Sequence, residues 1–258
     1  MDEAKDKNRL LKHFQKDPVL FAYHIGDLDD FFFPLCRWPV LTDDLGIIKE
    51  ALLVYNNPRF VTAMAFGLTD DFGSFLQREI NSLPERFYGH FQKTHRHIFL
   101  SRYDERVLGT HYKMQLQDFR KSHDDDDANI RRLDMSHLDQ VEIFYAEAYP
   151  DGYFDPRQLK MQKTFGYFQD DLLCSVAGLH VYSDAYKIAV LGGIATLPQY
   201  RGRGLARRVT SRLTEELFLE NKLISLNVKA DNQAAITCYQ RLGFAVSHEY
   251  EEALFTRR

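Results

Sequence analysis

Between Ala195 and Leu213 the chain reads ATLPQYRGRGLARRVTSRL. Pro198 stops an extended run, Gly202 and Gly204 let the backbone turn tightly and meet a ligand with no Cβ in the way, and a helical pattern follows at once. The first turn of a helix leaves its N–H groups unpartnered and carries about half a positive charge. This junction therefore suits an anion, and a phosphate above all. Arg201 and Arg203 are expected to add mobile positive charge around it. The spacing is neither the phosphate loop of NTPases nor the GxGxxG dinucleotide fingerprint.

Just before the junction, Gly192-Gly193 interrupts the apolar run KIAVLGGIAT. Paired glycines weaken a strand interior and mark a bulge or the close approach of a ligand or another backbone. His180, on the preceding strand, is either a structural histidine or a group that reaches the cleft. The segment YPDGYFDP, residues 149–156, is rich in rings and acids. Asp151 or Asp155, with the rings of Tyr149 and Tyr153, could hold a cationic amine there; as a plain surface turn it needs no function.

Stepping from these residues to the elements that must hold them, LLCSVAGLHVY and KIAVLGGIAT read as two β-strands, the second nearly all apolar as a central strand should be. Gly204 to Leu219 reads as an amphipathic helix with Leu205, Val209, Leu213 and Leu217 on one face. LISLNV is another buried strand, Ala234 to Leu242 a short helix, and Gly243 its left-handed cap. Leu138 to Tyr149 is helical. In the first half, Lys5 to Lys16 reads as a helix, IIKEALLVYNNPRFVTAMAFG as two strands around the turn at Asn56-Asn57-Pro58, a helix runs from a Thr69 cap to Leu83, and HIFLSRYDERVLGTHYKMQLQDF returns to strand. Four consecutive aspartates, 124–127, repel one another and suit a linker. The expected organisation is an amino-terminal α/β domain over 1–122, an acidic linker over 123–128 and a second domain over 129–258.

Gln199-x-x-Gly202-x-Gly204 matches the Q/R-x-x-G-x-G/A signature of the GNAT N-acetyltransferases. LNVKADNQAAITCYQRLGF resembles that family's second hallmark, a strand, an Asn and a helix ending in Tyr-x-x-x-Gly-Phe. The resemblance covers about the last 130 residues. It implies an α+β (mixed α/β) acyl-CoA acyltransferase fold with a mixed central sheet flanked by helices, and acetyl-CoA as co-substrate with no metal. By the same resemblance Gln199, Arg201, Gly202, Arg203, Gly204, Leu205 and Ala206 hold the pyrophosphate, and Ile194, Ala195 and Thr196 offer backbone groups to the pantetheine arm and thioester. Asn232 would hydrogen-bond the cofactor, or cap the helix that follows, or both. Tyr239 would stand near the sulfur as the catalytic residue. More loosely, YHIGDLDDFFFPLCRWPVL resembles the amino-terminal region of two-part bacterial GNAT proteins, whose first domain is often a degenerate copy of the same fold.

The implied reaction is direct attack of an amine on the acetyl thioester. The acceptor is expected to be a primary amine on a small or amino-acid-like molecule; the alternatives are a protein N-acetyltransferase, a non-catalytic CoA-binding sensor, or an interaction protein whose basic junction meets an acidic patch. A net charge of -4 and a pI near 6.2 give no general attraction to nucleic acid or anionic membrane. The charged start MDEAKDKNRL is unlike a secretory signal and no apolar run reaches the ~18 residues of a spanning helix, so a cytoplasmic monomer or homodimer is expected. Cys36, Cys174 and Cys238 are scattered, without a CxxC pair, and read as buried free thiols.

Overall fold

The computed structural model describes residues 3–122, 128–150, 152 and 154–258. Residues 124–127 of the acidic tract lie outside them. Contacts divide the chain into two compact units. The first gathers Met1–Lys113, Val228–Asp231 and Val246–Arg258, and the second gathers Met114–Asn227 and Asn232–Ala245.

In the first unit, neighbouring strands run in the order Cys36–Arg37, Leu53–Asn57, Phe60–Ala65, Arg86–Phe91, the Val246 onward part of Phe244–Arg257, and Tyr103–Leu116. Its core is aromatic: Phe72, Phe75, Phe87, Phe91, Phe99, Tyr103 and Phe255 are all fully buried, and Phe99 stacks on Phe255 with centroids 4.7 Å apart. Phe60–Ala65 and Arg86–Phe91 pair in parallel, joined through the helix Asp71–Glu79. That helix is shorter than the sequence pattern suggests and tightens into a 3-10 turn over Ile80–Ser82. Thr69 accepts the Asp71 N–H at 3.3 Å but gives its own proton to the buried carboxylate of Glu50 at 2.6 Å. The same carboxylate accepts the N–H groups of Thr69 at 2.7 Å and Leu68 at 3.2 Å. Two other local expectations differ. The run from Ile48 makes three strands, Ile48–Ala51, Leu53–Asn57 and Phe60–Ala65, because Leu52 turns its N–H to Pro39 C=O. A helix, Arg96–Leu100, precedes the long strand Tyr103–Leu116, its Ile98 and Phe99 buried in the aromatic core.

In the second unit, Ile130–Arg132, Phe165–Gln169, Leu172–Ser183 and Ile188–Thr196 pair antiparallel in that order, and Ile188–Thr196 then pairs in parallel with Leu223–Lys229. The crossover between those last two strands is the helix Leu205–Glu220, with Leu205, Val209, Leu213 and Leu217 buried as their spacing predicts; burying each contributes about 1.5–3 kcal/mol. The helix Leu138–Ala148 packs on the two central strands and places Val141, Phe144, Tyr145 and Ala148 in the core. The helix Gln233–Arg241 ends at Gly243, whose φ is +98°. A Cβ there would also meet the Asp118 carbonyl oxygen at 1.7 Å, so this glycine closes the helix and admits the segment whose Gln117 N–H bonds Gly243 C=O at 3.0 Å.

The paired glycines interrupt this sheet. Against Leu172–Ser183 the register runs Val176 to Ala195 and then Gly178 to Gly192, which leaves Gly193 and Ile194 opposite Ala177. Gly193 has φ +62°. Such a bulge sharpens the local twist of its strand. On the other edge, the parallel register begins at Ile188 with Leu223 and ends at Leu191 with Leu226. Beyond that pair Gly192–Thr196 leaves its parallel neighbour, and the sheet opens.

Candidate functional site

The open mouth of the sheet leads into the anion junction. After Thr196 the chain makes a 3-10 turn over Pro198–Tyr200, then passes Gly202 at φ +76° and Gly204 at φ +78° into the helix Leu205–Glu220. At both glycines a Cβ would meet nothing within 4 Å. Their requirement is therefore conformational, since only glycine adopts the left-handed region freely, and the space in front of them is open. The first intrahelical bond runs from Arg208 N–H to Gly204 C=O at 3.2 Å, so the amides of Leu205, Ala206 and Arg207 lie ahead of the ladder. The N-cap residue, Gly204, has no side chain with which to cap this end. The lack of a built-in cap and the clearance over two left-handed glycines fit a diphosphate, which would take those amides as its donors.

The two arginines bond the protein's own carbonyls. Arg201, exposed like its neighbour Arg203, donates its Nε to Thr196 C=O at 3.1 Å and its Nη2 to Ala148 C=O at 3.3 Å. It thereby ties the end of the central strand to the end of the helix Leu138–Ala148. Arg203 remains exposed, lies over the Tyr200 ring at 5.0 Å and reaches Gln199 C=O at 3.4 Å. Gln199 donates its Nε2 to Glu147 at 3.2 Å. The half-positive helix end is the fixed part of the field, with Arg203 at its rim.

Along the central strand, Ile194 and Ala195 are half-buried, while Thr196 is 9% exposed and shares a hydrogen bond with Ser175 at 2.8 Å. Ser175 also donates to Ala195 C=O at 2.9 Å. Tyr145, which sequence reasoning did not single out, donates its hydroxyl to Gly193 C=O at 2.6 Å. Its apolar helical spacing reads as core, and its ring is core indeed, stacked on Phe154 at 5.0 Å and edge-on to Phe144 at 5.3 Å. Burial raises its phenol well above the usual range, with a further contribution from Tyr149, so it remains a hydrogen-bond donor at any ordinary pH. His180 sits at a second bulge, where the register jumps from Leu179 to Val181. Its ring covers Gly192, and a Cβ on that glycine would lie 1.9 Å from it.

Tyr239 is 7% exposed on the helix Gln233–Arg241, edge-on to Phe244 at 6.2 Å. Burial first, then Cys238 and Tyr149, push its hydroxyl upward. Tyr149, 47% exposed, is thus felt by both buried phenols. Asn232 caps the same helix, accepting the Ala235 N–H at 3.1 Å. Asp151 and Tyr153 lie outside the described residues. Asp155 is engaged by Arg157, which donates Nε at 2.8 Å and its backbone N–H at 2.9 Å. Cys174 is buried and Cys36 and Cys238 are half-buried, all as free thiols. Among the described residues no group of three His, Cys, Asp or Glu could hold a metal ion, and no helix is long and apolar enough to cross a membrane.

Splayed parallel strands with an uncapped helix start at their mouth, in a mixed sheet flanked by helices, define the acyltransferase fold anticipated above. Residues 128–244 match the acetyltransferase (GNAT) family, and this segment of the chain is a domain of that family. Solved structures resemble more than the segment. A GNAT-family protein from Novosphingobium aromaticivorans matches with TM-score 0.62 at 18% identity, over 90% of this chain and 96% of its own. A Drosophila protein matches with TM-score 0.73 at 12% identity, over 99% and 97%. A GCN5-related N-acetyltransferase from Kribbella flavida matches with TM-score 0.61 at 12% identity, over 93% and 94%. At such identities the likeness speaks for the fold alone. No curated protein matches the sequence.

Proposed function

We propose that the protein transfers an acetyl group from acetyl-CoA to the primary amine of a small or amino-acid-like acceptor. The observation that carries this reading is the coincidence of two features at one end of the second unit: the uncapped amides at Leu205–Glu220 and the loss of parallel pairing beyond Leu191 and Leu226. The first suits a diphosphate, and the second opens a slot beside the strand edge that leads away from it.

In this reading the amides of residues 202–206 bind the diphosphate, and the free edge of Gly192–Thr196 aligns the pantetheine arm. An N–H of Ile194 or Ala195 then stabilises the oxyanion formed when the amine attacks the thioester carbon. Holding both reactants in one slot contributes by orientation. The carbon–sulfur bond breaks as the tetrahedral intermediate collapses, and the thiolate leaves. Tyr239, its hydroxyl held above the phenol's usual pKa, is a poor outright acid; it stabilises the departing sulfur by donating a hydrogen bond. An α-amine, with pKa near 7.7–8.0, is neutral often enough at pH 7 to need only water, whereas a lysine-like amine near 10.4 needs a base. Of the titratable groups on the central strands, His180 over Gly192 is the one placed for that work or for holding the acceptor. Tyr149 completes the acceptor side.

The test pairs a thermal-shift titration with acetyl-CoA and a CoA-release assay against a panel of amines and amino-terminal peptides. Stabilisation by acetyl-CoA and release that depends on a small amine are expected. Binding with no turnover on any amine would favour a sensor, preference for peptides a protein N-acetyltransferase, and no thermal shift would overturn the reading.

A further inference from the structure

We infer that Tyr145 is a positioning residue for acyl transfer: its hydroxyl, by clamping the Gly193 carbonyl in the strand bulge, aims the Ile194 N–H at the thioester oxygen. The inference rests on the acetyl-CoA reading above and assigns within it which amide acts and what holds that amide in place.

The geometry follows from the peptide unit. Gly193 C=O and Ile194 N–H belong to one plane, and no peptide bond in the described chain is cis; the two groups therefore point in opposite directions from that plane's axis. A hydrogen bond that fixes the oxygen fixes the direction of the N–H. In a regular strand, ladder bonds on both sides would do this. Here the bulge leaves Gly193 and Ile194 out of the antiparallel register, and the parallel register has already ended at Leu191. The plane at this interruption of both registers is the one Tyr145 holds, at 2.6 Å.

Three further features make the clamp specific. Gly193 at φ +62° occupies the left-handed region, and a Cβ there would stand 2.6 Å from the Tyr145 hydroxyl oxygen. Glycine is thus needed both for the turn and for the approach. The ring of Tyr145 is held by stacking on Phe154 and by edge contact with Phe144, so the hydroxyl has little freedom to follow a moving carbonyl. The phenol donates directly to this carbonyl across 48 residues of chain. A donor aimed in advance at developing charge is worth more than one that must reorganise, and removing such a donor costs about 100- to 1,000-fold in turnover. Loosening its support should cost less.

Tyr145→Phe keeps the ring and removes the clamp. The probe is acetyl-CoA labelled with carbon-13 at the thioester carbonyl, bound to the whole protein and read by isotope-edited infrared difference spectroscopy. A hydrogen bond to a carbonyl lowers its stretching frequency. The wild type is expected to show a lowered, narrow carbonyl band. The variant is expected to bind acetyl-CoA with unchanged affinity, to show a band shifted back toward that in water-free solvent and broadened, and to lose about 10- to 100-fold in kcat with the amine acceptor at unchanged KM for acetyl-CoA. Gly193→Ala, whose Cβ would crowd the hydroxyl at 2.6 Å and strain the left-handed bulge, is expected to move the band the same way and serves where the phenylalanine variant folds poorly. An unchanged band in either variant overturns the clamp, as does loss of acetyl-CoA binding by Tyr145→Phe. Failure of the wild type to bind acetyl-CoA is a separate result, and overturns the underlying reading instead.

Discussion

Each unit contains a strand, a short loop, a helix and a second strand parallel to the first, and the two loops treat the helix start in opposite ways. In the first unit, between Phe60–Ala65 and Asp71–Glu79, the amides of Leu68 and Thr69 and the Thr69 hydroxyl all donate to Glu50, whose carboxylate is fully buried. In the second, between Ile188–Thr196 and Leu205–Glu220, two left-handed glycines face open space and no side chain caps the helix. Backbone N–H groups at or ahead of a helix start are donors in both. One unit satisfies them with an anion of its own and the other leaves them for a ligand. The difference shows how little separates a structural turn from a binding loop: the position of one carboxylate and the presence of two glycines.

The largest effect is expected where the internal anion is removed. Glu50→Ala takes the charged acceptor from the Leu68 and Thr69 N–H groups and should lower the stability of the first unit by about 3 kcal/mol, read in a denaturant titration, while CoA affinity is unaffected. If CoA affinity falls with it, the two loops are not independent. Placing the internal anion in the other loop should have the converse effect. Gly202→Asp is expected to weaken CoA binding by at least about 100-fold, roughly 2.7 kcal/mol, with the thermal midpoint lowered only by the strain of about 1 kcal/mol that an aspartate meets at a left-handed φ; calorimetric titration decides it.

The units also differ in what they bury. The core of the first contains His13, pushed down to about 4 by burial and by Lys16, and Lys113, pushed down to about 7 by burial among Tyr23, Phe66 and Tyr250. Both groups bind protons more readily in the unfolded chain, so both make stability rise with pH, His13 between about 4 and 6.5 and Lys113 between about 7 and 10.5. Thermal unfolding from pH 6.5 down to 4 should therefore show a loss of about 2 kcal/mol from His13 alone. His13→Leu should flatten that slope, and an equally steep slope in the variant would locate the acid sensitivity elsewhere. The smallest effect concerns the second unit's buried phenol: Tyr239→Phe is expected to lower kcat by about tenfold with CoA affinity unchanged. Retention of full activity would reduce Tyr239 to packing.

What could be read from the sequence follows the same divide. Gly202 and Gly204 are legible because a left-handed backbone leaves glycine as its mark, and the apolar spacing of Leu205 to Leu217 fixes the helix that follows. Gly192-Gly193 announces a bulge for the same reason. Tyr145 leaves no such mark, since a helical residue at core spacing looks alike whether its hydroxyl is idle or bonded to Gly193. The bonding of Arg201 to the Thr196 and Ala148 carbonyls is equally hidden, because a cation beside a glycine loop suggests a ligand before it suggests backbone carbonyls. In the first unit Glu50 is separated by 19 residues from the Thr69 group it satisfies, and nothing local in either stretch links them. The short helix Arg96–Leu100 was masked by β-favouring neighbours, with burial of Ile98 and Phe99 in an aromatic core deciding the outcome.

The central claim concerns the amides at residues 202–206, and backbone amide chemical shifts in nitrogen-15-labelled protein titrated with CoA test it most directly. The account predicts large, saturable shifts for Gly202, Arg203, Gly204, Leu205 and Ala206, and none for Leu68 and Thr69, whose anion is already in place. Unperturbed amides at 202–206 in the presence of saturating CoA, or a response centred on Leu68 and Thr69, would contradict it.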